Sequence, residues 1–309
     1  MHSFLEIHPG ILRALAKATP VVALESTIIA HGMPYPQNVE TALEVEAVVK
    51  EAGAEPATIA ILDGKCHVGL TPAQIDYLGR TSGVWKVSLS DMPYVLSQRL
   101  CGATTVAATM RIASMAGIKI FVTGGTGGVH RGAETTMDIS ADLTEMARTS
   151  VAVISAGVKS ILDIGLTLEY METQGIPVVT VGQDEFPSFY SRRSSFPSPL
   201  RVDTAEEIAA LLHTKWSLGL SGAVLIANPV PEDQEVPADE IEVCIQQALK
   251  AATQQNIRGK ALTPFLLKYI SEHTKGESLQ ANIALIRHNA RLGAEIAKAF
   301  GSISKKETV

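Results

Sequence analysis

Cysteine is scarce in this 309-residue chain: Cys66, Cys101 and Cys244 are far apart, odd in number and form no Cys-x-x-Cys pair. That excludes a disulfide framework and leads us to expect reduced thiols and a cytoplasmic location. Aromatic residues make up only 5% and the net charge is −6. A base-stacking platform and a broad basic footprint for long nucleic acid are therefore both missing. Neither deficit excludes a pocket for one phosphate. No apolar run reaches the roughly 20 residues of a membrane span. The longest uncharged stretch, 216–231, is broken by Gly219, Gly222, Asn228 and Pro229. The N-terminal segment lacks the basic-then-apolar order of a secretion signal. No His-Glu-x-x-His, Gly-x-Ser-x-Gly or Walker lysine motif occurs, which argues against zinc peptidases, serine-triad hydrolases and P-loop enzymes.

What is present is ordinary globular composition, 46% apolar and 19% charged. No linker or shift in composition divides it, so a single α/β domain over 1–309 is expected. Short β-branched runs at 21–29, 56–64, 86–89, 118–125, 151–157, 176–182 and 222–228 read as strands. Amphipathic stretches at 36–53, from Thr71, and at 102–117, 158–175 and 204–219 read as helices, and 237–300 is helical with breaks near 259–264 and 275–276. This alternation predicts a three-layer α/β/α fold with a central, largely parallel sheet and a helical C-terminal region. Two segments, 124–140 and 182–202, lack regular pattern, as functional loops often do.

Open α/β sheets place their sites outside the carboxyl ends of the strands. There Glu25 interrupts an apolar run; it is either a buried structural acceptor or an acid/base with a raised pKa. The run GGTGGVHRG at 124–132 is either a flexible turn or an anion-binding loop, with His130 and Arg131 adding donors. Asp138 and Asp142 are four apart. On a helix they would share a face, as a hard-cation site or as complements to the helix dipole. Lys159 follows an apolar strand and a glycine. It is either a surface lysine or a buried amine suited to Schiff-base chemistry. Lys86 reads as a phosphate or carboxylate partner.

The stretches VALESTIIAHGMPYPQN, FVTGGTGGVHRGAETTMDISADL, VISAGVKSILDIGLTLEYMETQGIPVVTV and ALTPFLLKYISEHTKGESLQANIALIRHNARLGAEIA resemble the pseudouridine-5′-phosphate glycosidase family, also called indigoidine synthase A-like. The resemblance covers about 12–300. It implies reversible cleavage of the C–C glycosidic bond of pseudouridine 5′-phosphate to uracil and ribose 5-phosphate. It implies Lys159 as nucleophile, Glu25 as proton donor and Asp138 as ligand to one divalent cation, Mn²⁺. It places substrate contacts on Lys86, Val106, Ser140, Ala141 and Asp142, with His130 and Asn282 near the phosphate and the base. It further implies a homotrimer and functional pairing with a pseudouridine kinase. Such chemistry requires Lys159 to lose its proton near neutral pH, a downward shift of roughly 3 units. Two other readings stay open from the residues alone: a Schiff-base lyase or aldolase on another sugar phosphate, and a non-catalytic nucleotide-binding module.

Overall fold

A computed structural model describes residues 3–257 and 259–306. Its centre is a run of seven parallel strands, in the order Glu55–Leu62, Val21–Leu24, Ile120–Val122, Ala152–Ser155, Leu225–Ala227, Val178–Val181 and Leu200–Val202. The inner strands are buried on both faces, which is why they read as unbroken apolar runs rather than as alternation. The second half of Glu55–Leu62 leaves this sheet to pair antiparallel with Lys65–Val68 and with Gly102–Thr104. Two outer strands, Leu5–Ile7 and Trp85–Val87, complete that side layer in parallel pairing. The predicted α/β/α architecture holds, with this mixed edge as an addition.

Register places Leu24 beside Val122 and Val122 beside Ile154. Three strands therefore end level, and the residues that follow them emerge at one place. The predicted strand 21–29 stops at Leu24; the chain turns at Glu25–Thr27 into a short π-helical turn, Ile28–Gly32. Of the predicted helix 102–117, the first three residues are strand. Thr105 then caps the helix Val106–Met115, its side chain accepting from the Ala108 amide. The three-residue strand is too short for periodicity to reveal. A Cβ on Gly102 would lie 2.4 Å from Val87 Cγ2, so this pairing needs the bare residue. The predicted helix 158–175 begins only at Ile164, where the Asp163 side chain accepts from the Leu166 amide.

The helix Glu277–Lys306 crosses one face of the sheet over Val21–Leu24, Ile120–Val122 and Ala152–Ser155, flanked by Gln37–Glu51 and Ala205–Ser217. Its inner face mixes small residues, Ala281, Ala290, Ala294 and Ala297, with Leu285, Ile286 and Ile296, all buried. Gly293 is the point of closest approach, since a Cβ there would stand 2.3 Å from Val122 Cγ2. Gly293→Ala should therefore destabilise the fold by about 1–3 kcal/mol through overpacking, despite a helix-propensity gain of about 1 kcal/mol. Urea denaturation should read that loss, and adding Val122→Ala should recover part of it.

Candidate active site

A two-lobed cleft opens beyond the level strand ends. Glu25, Thr27, Lys86, Lys159 and Thr263 line both lobes and form the waist between them. The lobe of about 490 Å³ adds Gly124, Gly125, Phe189, Leu267 and Asn282. The lobe of about 1040 Å³ adds Ser88, Ser90, Val106, His130, Asp138, Ser140, Ala141 and Asp142. All ten sequence-predicted site residues thus face one cleft: Glu25, Lys86 and Lys159 at the waist, Asn282 in the smaller lobe, and the others in the larger.

Glu25 sits where its strand ends, and the Thr123 hydroxyl donates to Glu25 Oε1 from the neighbouring strand end. Behind it lies a mostly apolar cavity lined by Leu24, Ile28, Ile29, Val45, Val122 and Ile286, with Thr41 and Thr58. Burial pushes the Glu25 pKa up, opposed by Lys159, by the Thr123 hydroxyl and by Lys86. The turn is pinned sideways: Ser26 Oγ accepts from the Thr104 amide at 2.9 Å and Thr27 Oγ1 donates to the Thr104 carbonyl at 2.7 Å. Gly102–Thr104 pairs with the strand that carries Lys86, so acid and lysine are held in one frame.

Lys159 lies in a loop and does not enter a helix as the sequence pattern suggests. Its amide donates to the Thr126 carbonyl at 3.1 Å, and the Thr126 amide donates to that of Gly157 at 3.1 Å. The glycine run facing it is packed rather than open. A Cβ on Gly125 would lie 2.5 Å from the Phe189 ring and one on Gly127 would lie 2.2 Å from Ser140 Oγ. The amides of Gly127, Val129 and His130 are already used by Asp142, Thr167 and the Asp138 carbonyl. Arg131 is committed too: it makes a bidentate pair with Glu242 at 2.6 and 2.9 Å and donates to the Ser160 carbonyl at 3.1 Å. Of the two readings left open for this run, a flexible turn and an anion loop with Arg131 as a donor, the packing matches neither: these glycines let segments approach one another.

The paired-aspartate expectation also changes. The helix is Ala141–Met146, capped by Ser140, and Asp138 precedes it. Asp142 is buried, its two oxygens accepting from the Ala107 amide at 2.9 Å and the Gly127 amide at 2.8 Å. Asp138 keeps a half-exposed carboxylate 4.0 Å from His130 Nδ1. Burial, with Lys86 and Lys159 nearby, holds the His130 pKa below its usual value against the pull of Asp138. Among the described residues no group of three or more His, Cys, Asp or Glu forms a metal cage. A half-exposed, hard carboxylate suits an ion that keeps most of its waters, so Asp138 fits a divalent cation, whereas both Asp142 oxygens are already bonded.

Sequence reasoning missed Thr123, Phe189 and Asn289, while His31 was legible only as a polar group beyond the first strand. His31 lines the smaller lobe, and its Nε2 is buried without a partner among the described residues. Asn289 donates to the Thr123 carbonyl at 2.9 Å and accepts from Asn228 at 3.0 Å. Polar residues on the inward face of an apolar helix were the available signal for Asn289; nothing in the pattern marked Thr123.

The family described as indigoidine synthase A like protein matches residues 10–299. A pseudouridine-5′-phosphate glycosidase of Deinococcus radiodurans is 57% identical, over 98% of this chain and 97% of that protein. A protein of the same name from Geobacillus kaustophilus is 56% identical, over 96% and 99%. Among solved structures, the prealnumycin C-glycosynthase AlnA in complex with ribulose 5-phosphate is 38% identical with a TM-score of 0.91, over 99% of this chain and 100% of that one. An indigoidine synthase A-like protein of Thermotoga maritima is 36% identical with a TM-score of 0.87, over 96% and 97%.

The raised Glu25 pKa has a consequence for stability. Unfolded, this carboxyl titrates near about 4.3; folded, it titrates higher. Between the two values the folded chain binds more protons, so stability falls as pH rises through that window. Glu25→Gln should unfold at higher urea than the parent at pH 8, with the gap closing near pH 4.

Proposed function

The chain belongs to the indigoidine synthase A-like family, and on that premise we propose that it cleaves the C–C glycosidic bond of pseudouridine 5′-phosphate reversibly, giving uracil and ribose 5-phosphate. The carrying observation is the waist of the cleft, where Glu25 and Lys159 face one enclosed space with Lys86 beside them. The curated relatives that bear this activity in their names support it over nearly their full length.

A C–C glycoside has no heteroatom leaving group, so the two-carboxylate route of O-glycosidases gains little. Opening the ribose avoids that difficulty. Glu25, in its acid form, gives a proton to the ring oxygen as the bond from C1′ to that oxygen breaks and the neutral amine of Lys159 bonds to C1′; the nitrogen then returns a proton to the Glu25 carboxylate. The nitrogen lone pair then forms C1′=N as the bond from C1′ to C5 of the pyrimidine breaks and C5 takes a proton. Water hydrolyses the imine, releasing ribose 5-phosphate and restoring the amine. The lysine thereby divides one difficult step into easier ones.

The larger lobe takes the phosphate end. Lys86 supplies charge; the Val106 end of a capped ten-residue helix, Ser140 and Ala141 border it, the Ala107 and Ala108 amides being already bonded to Asp142 and Thr105. The Asp142 carboxylate is already bonded, so its part is to hold this wall together. His130 sits between the phosphate and Asp138. Asn282 meets the pyrimidine edge in the smaller lobe. When bound at Asp138, Mn²⁺ supplies Lewis acidity toward water and substrate oxygens. The reading extends to a homotrimer, to a kinase that supplies the phosphorylated nucleoside, and to the cytoplasm, where the three free cysteines stay reduced. No helix among the described residues is long and apolar enough to cross a membrane.

Release of uracil, followed by absorbance, distinguishes this activity from a Schiff-base lyase on another sugar phosphate. Lys159→Ala should abolish turnover while leaving the circular-dichroism spectrum unchanged. Borohydride with ribose 5-phosphate should leave a mass adduct on Lys159 of the parent; an adduct on Lys86, or none, overturns the assignment. EDTA should suppress the rate and Mn²⁺ restore it. Thr123→Val removes the donor that stabilises the Glu25 carboxylate. Glu25 should then keep its proton to higher pH, moving the alkaline limb of the rate profile upward.

A further inference from the structure

The cavity behind Glu25 holds polar groups that the chemistry so far does not use. It measures about 340 Å³ and has room for a water. Glu25 lines it together with Thr41 and Thr58. Thr41 is 3% exposed, and its hydroxyl has no hydrogen-bond partner among the described residues. Register sets Thr58 beside Leu24, the residue before Glu25. A buried water needs roughly two to four polar partners, and a carboxyl and two hydroxyls border this space. A dry apolar void has none.

Thr58 leads further. Its hydroxyl donates to Glu46 Oε1 at 2.6 Å. Glu46 lies on the helix Gln37–Glu51 and is 7% exposed, so it is not sealed from solvent. That hydroxyl is its one side-chain hydrogen-bond partner among the described residues, which also give it no ion pair. A carboxyl buried on such terms costs stability. Burial pushes the Glu46 pKa up, opposed by the Thr58 hydroxyl and by Lys50 one turn along the same helix. On the long helix packed alongside, Arg287 is engaged with Glu44 at 3.9 Å. Glu46 is therefore an acid that holds its proton more firmly than an exposed glutamate, bonded to a hydroxyl that borders the cavity of Glu25.

Resting on the proposed function, we propose that a water in this cavity joins Glu25 to Glu46 through Thr58, and that this chain loads the acid with a proton from behind while the nucleotide closes the cleft in front. Glu46 gives its carboxyl proton to Thr58 Oγ1 as the Thr58 hydroxyl gives its own to the water, and the water gives one to the Glu25 carboxylate. Each O–H bond broken is matched by one formed, and Glu46, left ionised, recovers a proton from bulk water. Hydroxyl and water each donate and accept, so rotation about single bonds resets the chain. Without it, a Glu25 that enters the complex ionised stays so until the nucleotide leaves. The charges that bear on Glu25 are Lys159, Asp142 and Lys86. Glu46 is not among them, so it acts through the bonded chain and not through its field.

A crystal structure of the full chain should show a water within hydrogen-bond distance of Glu25 and Thr58; a dry cavity overturns the proposal. The kinetic test follows uracil release from pseudouridine 5′-phosphate by Glu46→Gln, Thr58→Val and Thr58→Ser between pH 5 and pH 8. The glutamine and valine variants should lose at least tenfold in kcat at pH 8, with KM within twofold of the parent. The loss should shrink to within twofold toward pH 5, where Glu25 enters the complex already protonated. Serine, which keeps the hydroxyl, should stay within threefold throughout. An unchanged kcat in the glutamine variant overturns the relay. So does a loss that is equal at every pH or shared by the serine variant, since these residues would then only support the fold. Should the valine variant not fold, the glutamine variant, which keeps an acceptor for Thr58, decides alone. If the parent releases no uracil at any pH, the functional reading has failed and the relay with it; a working parent matched by its variants fails the relay alone.

Discussion

The Thr123 hydroxyl donates to Glu25, and the carbonyl of the same residue accepts from Asn289. Through those two bonds the acid of the cleft is fixed to the sheet and to the long C-terminal helix together. The arrangement exists because Leu24 and Val122 are register partners, which brings the next residue of each strand side by side. Every other feature of the waist is hung from that alignment: the pinned turn at Ser26 and Thr27, the side strand bearing Lys86, and the loop of Lys159 laid against Thr126.

Electrostatics at the waist follow from this crowding. Glu25 is buried yet attended by two lysines, and burial is the stronger influence, so the acid form is favoured. His130 and His31 are both held below the usual histidine range by burial and by Lys86. The buried wall of the phosphate lobe is stabilised in a different way, by a carboxylate spent on backbone amides at Ala107 and Gly127.

Much of this was legible in residue order. The alternation of apolar runs and amphipathic stretches located the sheet, the capped helix after Thr71 and the long final helices, because burial on both faces leaves a plain signature. Glu25 was legible as a charge inside such a run, and Lys159 as an amine after one. What was not legible depends on contacts distant in sequence. The three residues Gly102–Thr104 form a strand only because Trp85–Val87 and Glu55–Leu62 lie on either side. Asp138 and Asp142 looked like a helical pair until Ser140 capped the helix between them. The glycine run could be read as a flexible turn or an anion loop, whereas its bare positions admit Ser140, Thr167 and the Phe189 ring. Thr123 is one threonine among many until register sets it against Glu25.

The helix Glu277–Lys306 has one further implication. It carries Asn282 into the smaller lobe and, two turns on, Asn289 onto the strand that holds Glu25. It is tightly seated, with Gly293 against Val122. In the proposed reaction a single packed element thus bears on both partners of the bond to be cut: the base through Asn282, and the acid through Asn289 and Thr123.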